Sequence, residues 1–178
     1  MQIIDAQIHL WTKPSVVVPP HRTKPYGLDE ALADMDEAGV WGAIIHPPSW
    51  DEGSHALAEE AARRHPDRFA ILGYIPPNDP KRRGDIETWL QRPGVVGLRY
   101  TFLHDEQKSW PRDGTMDWVW PSAERLGIPV AILADGYLDV VGKVAERHPD
   151  LKLIVDHFGV RRGNKDAIAF ASMPDVVA

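Results

Sequence analysis

The sequence contains no cysteine. That removes disulfide staples, thiol nucleophiles and cysteine-ligated zinc together. It also lacks a long apolar run, and Met1–Leu10 does not read as a signal peptide, so the sequence points to a cytoplasmic protein rather than a membrane one. Basic residues are not in excess: the formal net charge is -6, which argues against a nucleic-acid footprint. No Gly-rich phosphate loop follows the first apolar run, since Trp11-Thr12-Lys13-Pro14 stands there, and there is no Walker sequence and no Gly-x-Ser-x-Gly elbow. Nucleotide cofactors and serine hydrolysis lose their main signatures. An open, doubly wound nucleotide-binding sheet would need such a first turn.

What is present suits a folded globular protein with a built pocket. The 178 residues can bury one sizeable core, and the hydrophobic (43%) and charged (26%) fractions are those of an ordinary globular chain. Seven Trp and sixteen Pro are many for this length. Several fall between apolar runs, as at Trp11, Trp50, Pro47, Pro48, Pro76 and Pro77, where stiff loops with aromatics can shape a site.

Apolar runs of strand length recur at Ile3–Ile8, Trp41–Ile45, Phe69–Ile75, Val95–Tyr100, Pro129–Leu133 and Leu151–Val155. Segments of helical periodicity separate most of them: Leu28–Ala38, His55–His65, Ile86–Leu90, Met116–Leu126 and Tyr137–His148. This alternation predicts parallel strands joined by crossover helices. Ala43–Ile45 and Leu153–Val155 are apolar without alternation, which predicts burial on both faces. The joints repeat. Arg64-His65-Pro66-Asp67 and Arg147-His148-Pro149-Asp150 each end a helix at a proline, while Gly39 and Gly127 end two others. Six β/α units are countable. Asp166–Ala171 then reads as a short helix, and residues 173–178 as the first residues of a seventh strand. A closed barrel has eight strands, so residues 1–178 read as a single barrel domain, incomplete at its C-terminal side.

Four places could carry chemistry. In Asp5-Ala6-Gln7-Ile8-His9, alternation puts Asp5, Gln7 and His9 on one face and Ile4, Ile8 and Leu10 on the other, a polar stripe rising to the strand's carboxyl end. His157, in Val155-Asp156-His157-Phe158-Gly159, ends the sixth run. It shares a face with Leu153 and Val155, with Asp156 turned the other way. Arg99, with Gly97 and Thr101, ends the fourth. It would suit a carboxylate or a developing oxyanion, unless Asp135 or a similar residue neutralises it. His46 ends the second, before Pro47-Pro48-Ser49-Trp50. His65 and His148 sit at helix ends and read as structural. His21, His55 and His104 read as solvated or rim residues.

Ile4-Asp5-Ala6-Gln7-Ile8-His9-Leu10-Trp11, Val96-Gly97-Leu98-Arg99-Tyr100 and Ile154-Val155-Asp156-His157-Phe158-Gly159 resemble the amidohydrolase-related barrels, in order and spacing across essentially the whole chain. That group includes lactonases of sugar, pyrone and muconate lactones, and decarboxylases of the aminocarboxymuconate semialdehyde type. The resemblance implies a (β/α)8 TIM barrel of which this chain spans about six units and the start of strand seven. It also implies a hydrolase acting on a small-molecule substrate. His9, His157 and Arg99 become the implied catalytic residues, and Trp11, His46, Trp50 and Tyr100 the substrate-binding ones. A divalent metal such as zinc, or none, is implied, with His9 and His157 as its ligands. The family's first strand usually carries His-x-His, whereas here Gln7 replaces the first His, and an amide is a poor zinc ligand. The family's general-base aspartate follows a later strand. A lactone-opening hydrolase is the expected function, against a non-oxidative decarboxylase of the same fold or a non-catalytic barrel remnant that binds. No nucleic acid or membrane partner is expected, and a homo-oligomer is compatible with the sequence.

Overall fold

The computed structural model describes residues 1–14, 24–160 and 165–171, the side chain of Asp166 aside. His21 and the expected start of a seventh strand at 173–178 lie outside the described residues. Six strands occur in the order β1 to β6: Ile4–Ile8, Gly42–Ile45, Phe69–Gly73, Val95–Tyr100, Val130–Ile132 and Leu153–Val155. The pairings β1–β2, β2–β3, β4–β5 and β5–β6 are parallel. Every expected run therefore holds a strand, trimmed by up to two residues at either end. Among the described residues, no helix is long and apolar enough to cross a membrane. The chain divides into two compact units, Met1–Tyr74 with Trp89–Gly97, and Ile75–Thr88 with Leu98–Ala178.

In the first unit, α1 (Leu28–Ala38) buries Leu28, Ala31 and Met35, the one-face spacing of an amphipathic helix. Glu30 reaches back to the amide of Gly27 at 3.1 Å, which satisfies one of the open donors at the helix start. Gly39 ends the helix in the left-handed region, and Val40 donates to the Met35 carbonyl at 2.8 Å. α2 (Ser54–Arg64) turns small residues inward, Ala58, Ala61 and Ala62, so the helix lies close to its neighbours. His65 ends it, with its amide on the Ala61 carbonyl at 2.9 Å and its ring edge-on to Phe69.

β1 is not regular. Asp5 pairs with Ala43 but Ile8 with Ile45, so β1 spends three steps where β2 spends two. The Asp5 carboxylate accepts the Gln7 amide at 2.9 Å within this bulge. Strict alternation from Asp5 to His9 therefore does not hold. Gln7 and His9 do lie side by side, their Nε2 atoms 3.4 Å apart. Ile4, expected on a covered apolar face, is 50% exposed.

In the second unit, β5 pairs with β4 and β6 and is buried throughout. β6 was expected to be buried on both faces, but Ile154 is 44% exposed. Among the described strands β6 has only β5 beside it, so its apolar run reflects β propensity more than burial. α3 (Val119–Leu126) begins three residues later than its periodicity suggests and ends at left-handed Gly127. α4 (Leu138–Arg147) ends at His148, whose Nδ1 meets Glu124 at 2.9 Å, a structural role as expected. α5 is confined to Asp166–Ala169. The helical stretch expected at Ile86–Leu90 belongs to a longer 3₁₀ run, Pro80–Gln91. Its three-residue repeat suits the burial of Ile86 and Trp89, three apart.

Trp89 shows why β3 ends in glycine. The indole is buried and donates Nε1–H to the Gly97 carbonyl at 3.0 Å. A Cβ at Gly73 would stand 2.7 Å from its ring. Gly73→Ala is expected to destabilise the protein by about 1–3 kcal/mol, the usual cost of overpacking. Gly84→Ala, where a Cβ meets nothing within 4 Å, is the control, expected within about 0.5 kcal/mol of wild type. Thermal melts of both variants test this.

Candidate active site

Polar groups collect at the carboxyl ends of the strands in each unit. In the first, His9 follows β1 and its Nδ1 lies 2.6 Å from the His46 carbonyl oxygen. A carbonyl only accepts, so Nδ1 carries the proton, and in the neutral ring Nε2 holds the lone pair. The Gln7 amide faces that nitrogen. His46 follows β2, is buried, and donates Nε2–H to the Ala6 carbonyl at 3.2 Å. The two imidazoles thus cross-brace β1 and β2, and their rings meet edge to face at 6.3 Å. Trp11 packs on Tyr26 at 5.1 Å and donates Nε1–H to the Lys24 carbonyl. Trp50 is half-buried in the turn after β2.

One feature of this loop region had no signal in the sequence. Asp51 is 2% exposed, yet it is ionisable. Its oxygens accept the Thr12 amide at 2.5 Å, the Thr12 hydroxyl at 2.9 Å and the Gly53 amide at 3.1 Å. The carboxylate therefore ties the loop after β1 to the loop after β2. Ser54 closes the same turn, donating to the Asp51 carbonyl at 2.6 Å.

In the second unit, the Arg99 Nε–H donates to Asp156 Oδ2 at 2.7 Å. Both side chains are shielded, at 12% and 7% exposure. The register explains the meeting. Arg99 lies beside Ala131, and Ala131 beside Ile154. β6 ends at Val155, and Asp156, two residues beyond Ile154, opens the 3₁₀ turn that follows. Arg99 reaches over the short side chain of Ala131 to Asp156. The neutralising carboxylate is thus Asp156. β6 stops at Val155, and His157 and Phe158 follow in the left-handed region, with φ of 52° and 55°. Strand alternation therefore no longer governs His157, which is exposed. Tyr100, one residue from Arg99, falls on the opposite face by the same alternation. It is buried, stacks on Phe102 and donates its hydroxyl to the Ile75 carbonyl at 3.1 Å. That is a core position, not a pocket wall.

A model of the amidohydrolase family matches residues 4–178. The chain belongs to the amidohydrolase family. Among solved structures, an amidohydrolase of Burkholderia multivorans with bound zinc is similar, at TM-score 0.77 and 16% identity, over 99% of this chain and 65% of that one. A probable 2-pyrone-4,6-dicarboxylic acid hydrolase of Acinetobacter baumannii, with citric acid bound, aligns at TM-score 0.69 and 16% identity, over 99% and 64%. These likenesses show the fold: an α/β chain of parallel strands on the amidohydrolase barrel pattern. The chain spans just under two thirds of the length of both structures. No curated protein matches it.

Membership raises a divalent metal, and the donor set tests it. His9 presents Nε2 as a ligand nitrogen, with Nδ1–H already on a carbonyl as metal-binding histidines have it. Beside it, however, stands an amide. Among the described residues no three His, Cys, Asp or Glu side chains gather to hold an ion. These residues do not fit a divalent metal, and their chemistry is that of hydrogen bonds and charge.

Two expectations follow. Gln7→His puts a second imidazole against His9 Nε2 and is expected to raise zinc affinity at least about tenfold, the scale on which one well-placed ligand contact acts; calorimetry on both forms measures it, and equal binding would refute the placement. Asp51 supplies a pH signature. Burial pushes its carboxyl up, but the Thr12 amide and hydroxyl, the Gly53 amide and the Lys13 charge outweigh this and hold it below the usual 3.8. A pKa lower in the folded than in the unfolded state adds stability that is present above the unfolded value and lost as pH falls through the folded one. Asp51→Asn is expected to cost about 1–3 kcal/mol at pH 7. Urea unfolding should show that gap narrowing below pH about 4.

Proposed function

We propose that the protein is a hydrolase that opens a lactone of a small carboxylated or sugar-acid substrate by water attack on the ring carbonyl. Family membership supports the hydrolase part. The observation that carries the reading is His9, at the carboxyl end of β1 with its tautomer set by the His46 carbonyl. The choice of a lactone follows the sequence resemblance, and the fold is shared with a probable 2-pyrone-4,6-dicarboxylic acid hydrolase.

Bond opening needs the carbonyl oxygen polarised and its developing charge stabilised. With Nδ1–H committed to His46, His9 can donate to that oxygen only through a protonated Nε2, so the imidazolium is its active form. The family resemblance assigns His157, exposed on its left-handed turn, a catalytic role as well. Arg99 takes a substrate carboxylate. His46 holds His9 and shapes the site from behind, and Trp11 and Trp50 supply apolar surface near the loops. The base that accepts the water's proton is the aspartate that the family resemblance assigns to a later strand.

The test is a panel of carboxylated pyrone and sugar lactones on the full-length protein. Turnover of at least one is expected, and His9→Ala should lower kcat/KM by about 10²–10⁴-fold, the range of one general acid. A panel without turnover would sink the lactonase reading, and full activity of His9→Ala would remove His9 from it.

A further inference from the structure

The Arg–carboxylate contacts in this chain take several forms, end-on at Arg112 and through Nε alone at Arg82 and Arg99. On the surface, Arg112 grips Asp139 end-on, Nη1 at 2.7 Å and Nη2 at 2.8 Å, one to each oxygen. That fork-to-fork geometry makes the most of the pair itself. Arg99 and Asp156, the shielded pair, do not use it. Asp156 touches only Nε, on the flank of the guanidinium. Among the described residues the side chain of Arg99 makes no other hydrogen bond. Its two terminal NH2 groups, four of its five N–H donors, stay uncommitted at the carboxyl end of β4.

We infer that Asp156 is a positioning residue. It holds Arg99 by the flank so that the terminal nitrogens face a substrate carboxylate as a ready-made bidentate fork. This deepens the lactonase reading and rests on it for the nature of the ligand. Two features of the fold serve the arrangement. Ala131 is too short to separate the partners, and Asp156 opens the turn directly after β6, before the left-handed residues His157 and Phe158. The pair is close to neutral in sum. Recognition therefore depends on the orientation of two parallel N–H···O bonds more than on net attraction, and the ligand class it selects is a planar carboxylate rather than any anion.

The test uses the full-length protein with 2-pyrone-4,6-dicarboxylate, an uncharged six-membered lactone, and citrate as a non-reacting carboxylate probe. Asp156→Ala is expected to raise KM for the dicarboxylate about 10²-fold, the scale of losing orientation in a bound complex. The effect should be at least tenfold smaller in kcat, and at least tenfold smaller on the uncharged lactone. Asp156→Asn should restore most of the loss, because its amide oxygen still accepts Nε–H. The double variant with Arg99→Ala should be no worse than Arg99→Ala alone, in KM and in citrate affinity by calorimetry. Effects that multiply in the double variant, or an equal loss on both lactones, would overturn the inference. Should Asp156→Ala not fold, Asp156→Glu decides: it keeps the charge but moves the acceptor by one methylene, and a wild-type KM would overturn the inference. If no lactone is turned over but citrate binding falls equally in Asp156→Ala and Arg99→Ala, the lactonase reading fails and the positioning role stands. If both lactones are turned over while citrate binding ignores Asp156, the reading stands and the positioning role fails.

Discussion

Two parallel neighbours cannot be joined by a two-residue turn, so each segment leaving a strand must cross back before the next strand can start. In this chain that requirement organises everything else. It forces a helix or 3₁₀ run into every connection. It also sends every strand's carboxyl end into a loop, and the loops are where His9, His46, Asp51 and His157 stand. The strands themselves need only short apolar runs, and β5 manages with three residues because neighbours on both sides complete its hydrogen bonds. Chemistry is thus carried at the ends of elements that the core holds still.

The polar groups at those ends are fixed chiefly by backbone carbonyls and amides. His9 and His46 each use a carbonyl of the other's strand, and Asp51 gathers amides from two loops. Such contacts cost little rotamer freedom on the partner side, since the backbone is already ordered. They also decide protonation: a carbonyl opposite Nδ1 leaves one tautomer of His9. Charge enters at Asp51, where amides and a hydroxyl meet it, and at Arg99, where the structure supplies a counter-ion.

Strand and helix order were legible in the sequence because period and punctuation agree: apolar runs of five to seven residues, then Gly39, Pro66, Gly127 or Pro149 at the joints. The strand-end histidines were legible for the same reason. What escaped depended on neighbours that only folding brings together. Asp135 and Asp156 are equally plausible partners for Arg99 on paper; the register through Ala131 chooses Asp156. Tyr100 belongs to the same sequence motif as Arg99, but alternation sends it to the other face. The Asp51 knot joins residues 39 positions apart through Thr12, whose sequence context carries no hint of it. Burial of Leu153–Val155 was overestimated because an apolar run does not say how many neighbours a strand has.

The extra residue between Asp5 and Ile8 changes the arithmetic of the first strand. Side chains alternate with a period of two, so an insertion of one is a change of parity. Residues before the bulge and residues after it are counted on different clocks. Removing one residue there would restore an even ladder with Ile8 still opposite Ile45 and His9 facing as it does, whereas removing two would put the strands out of step again. Matching Gln7-x-His9 to another barrel's first strand therefore requires counting from the carboxyl end, where the parity is set, and not from Ile4.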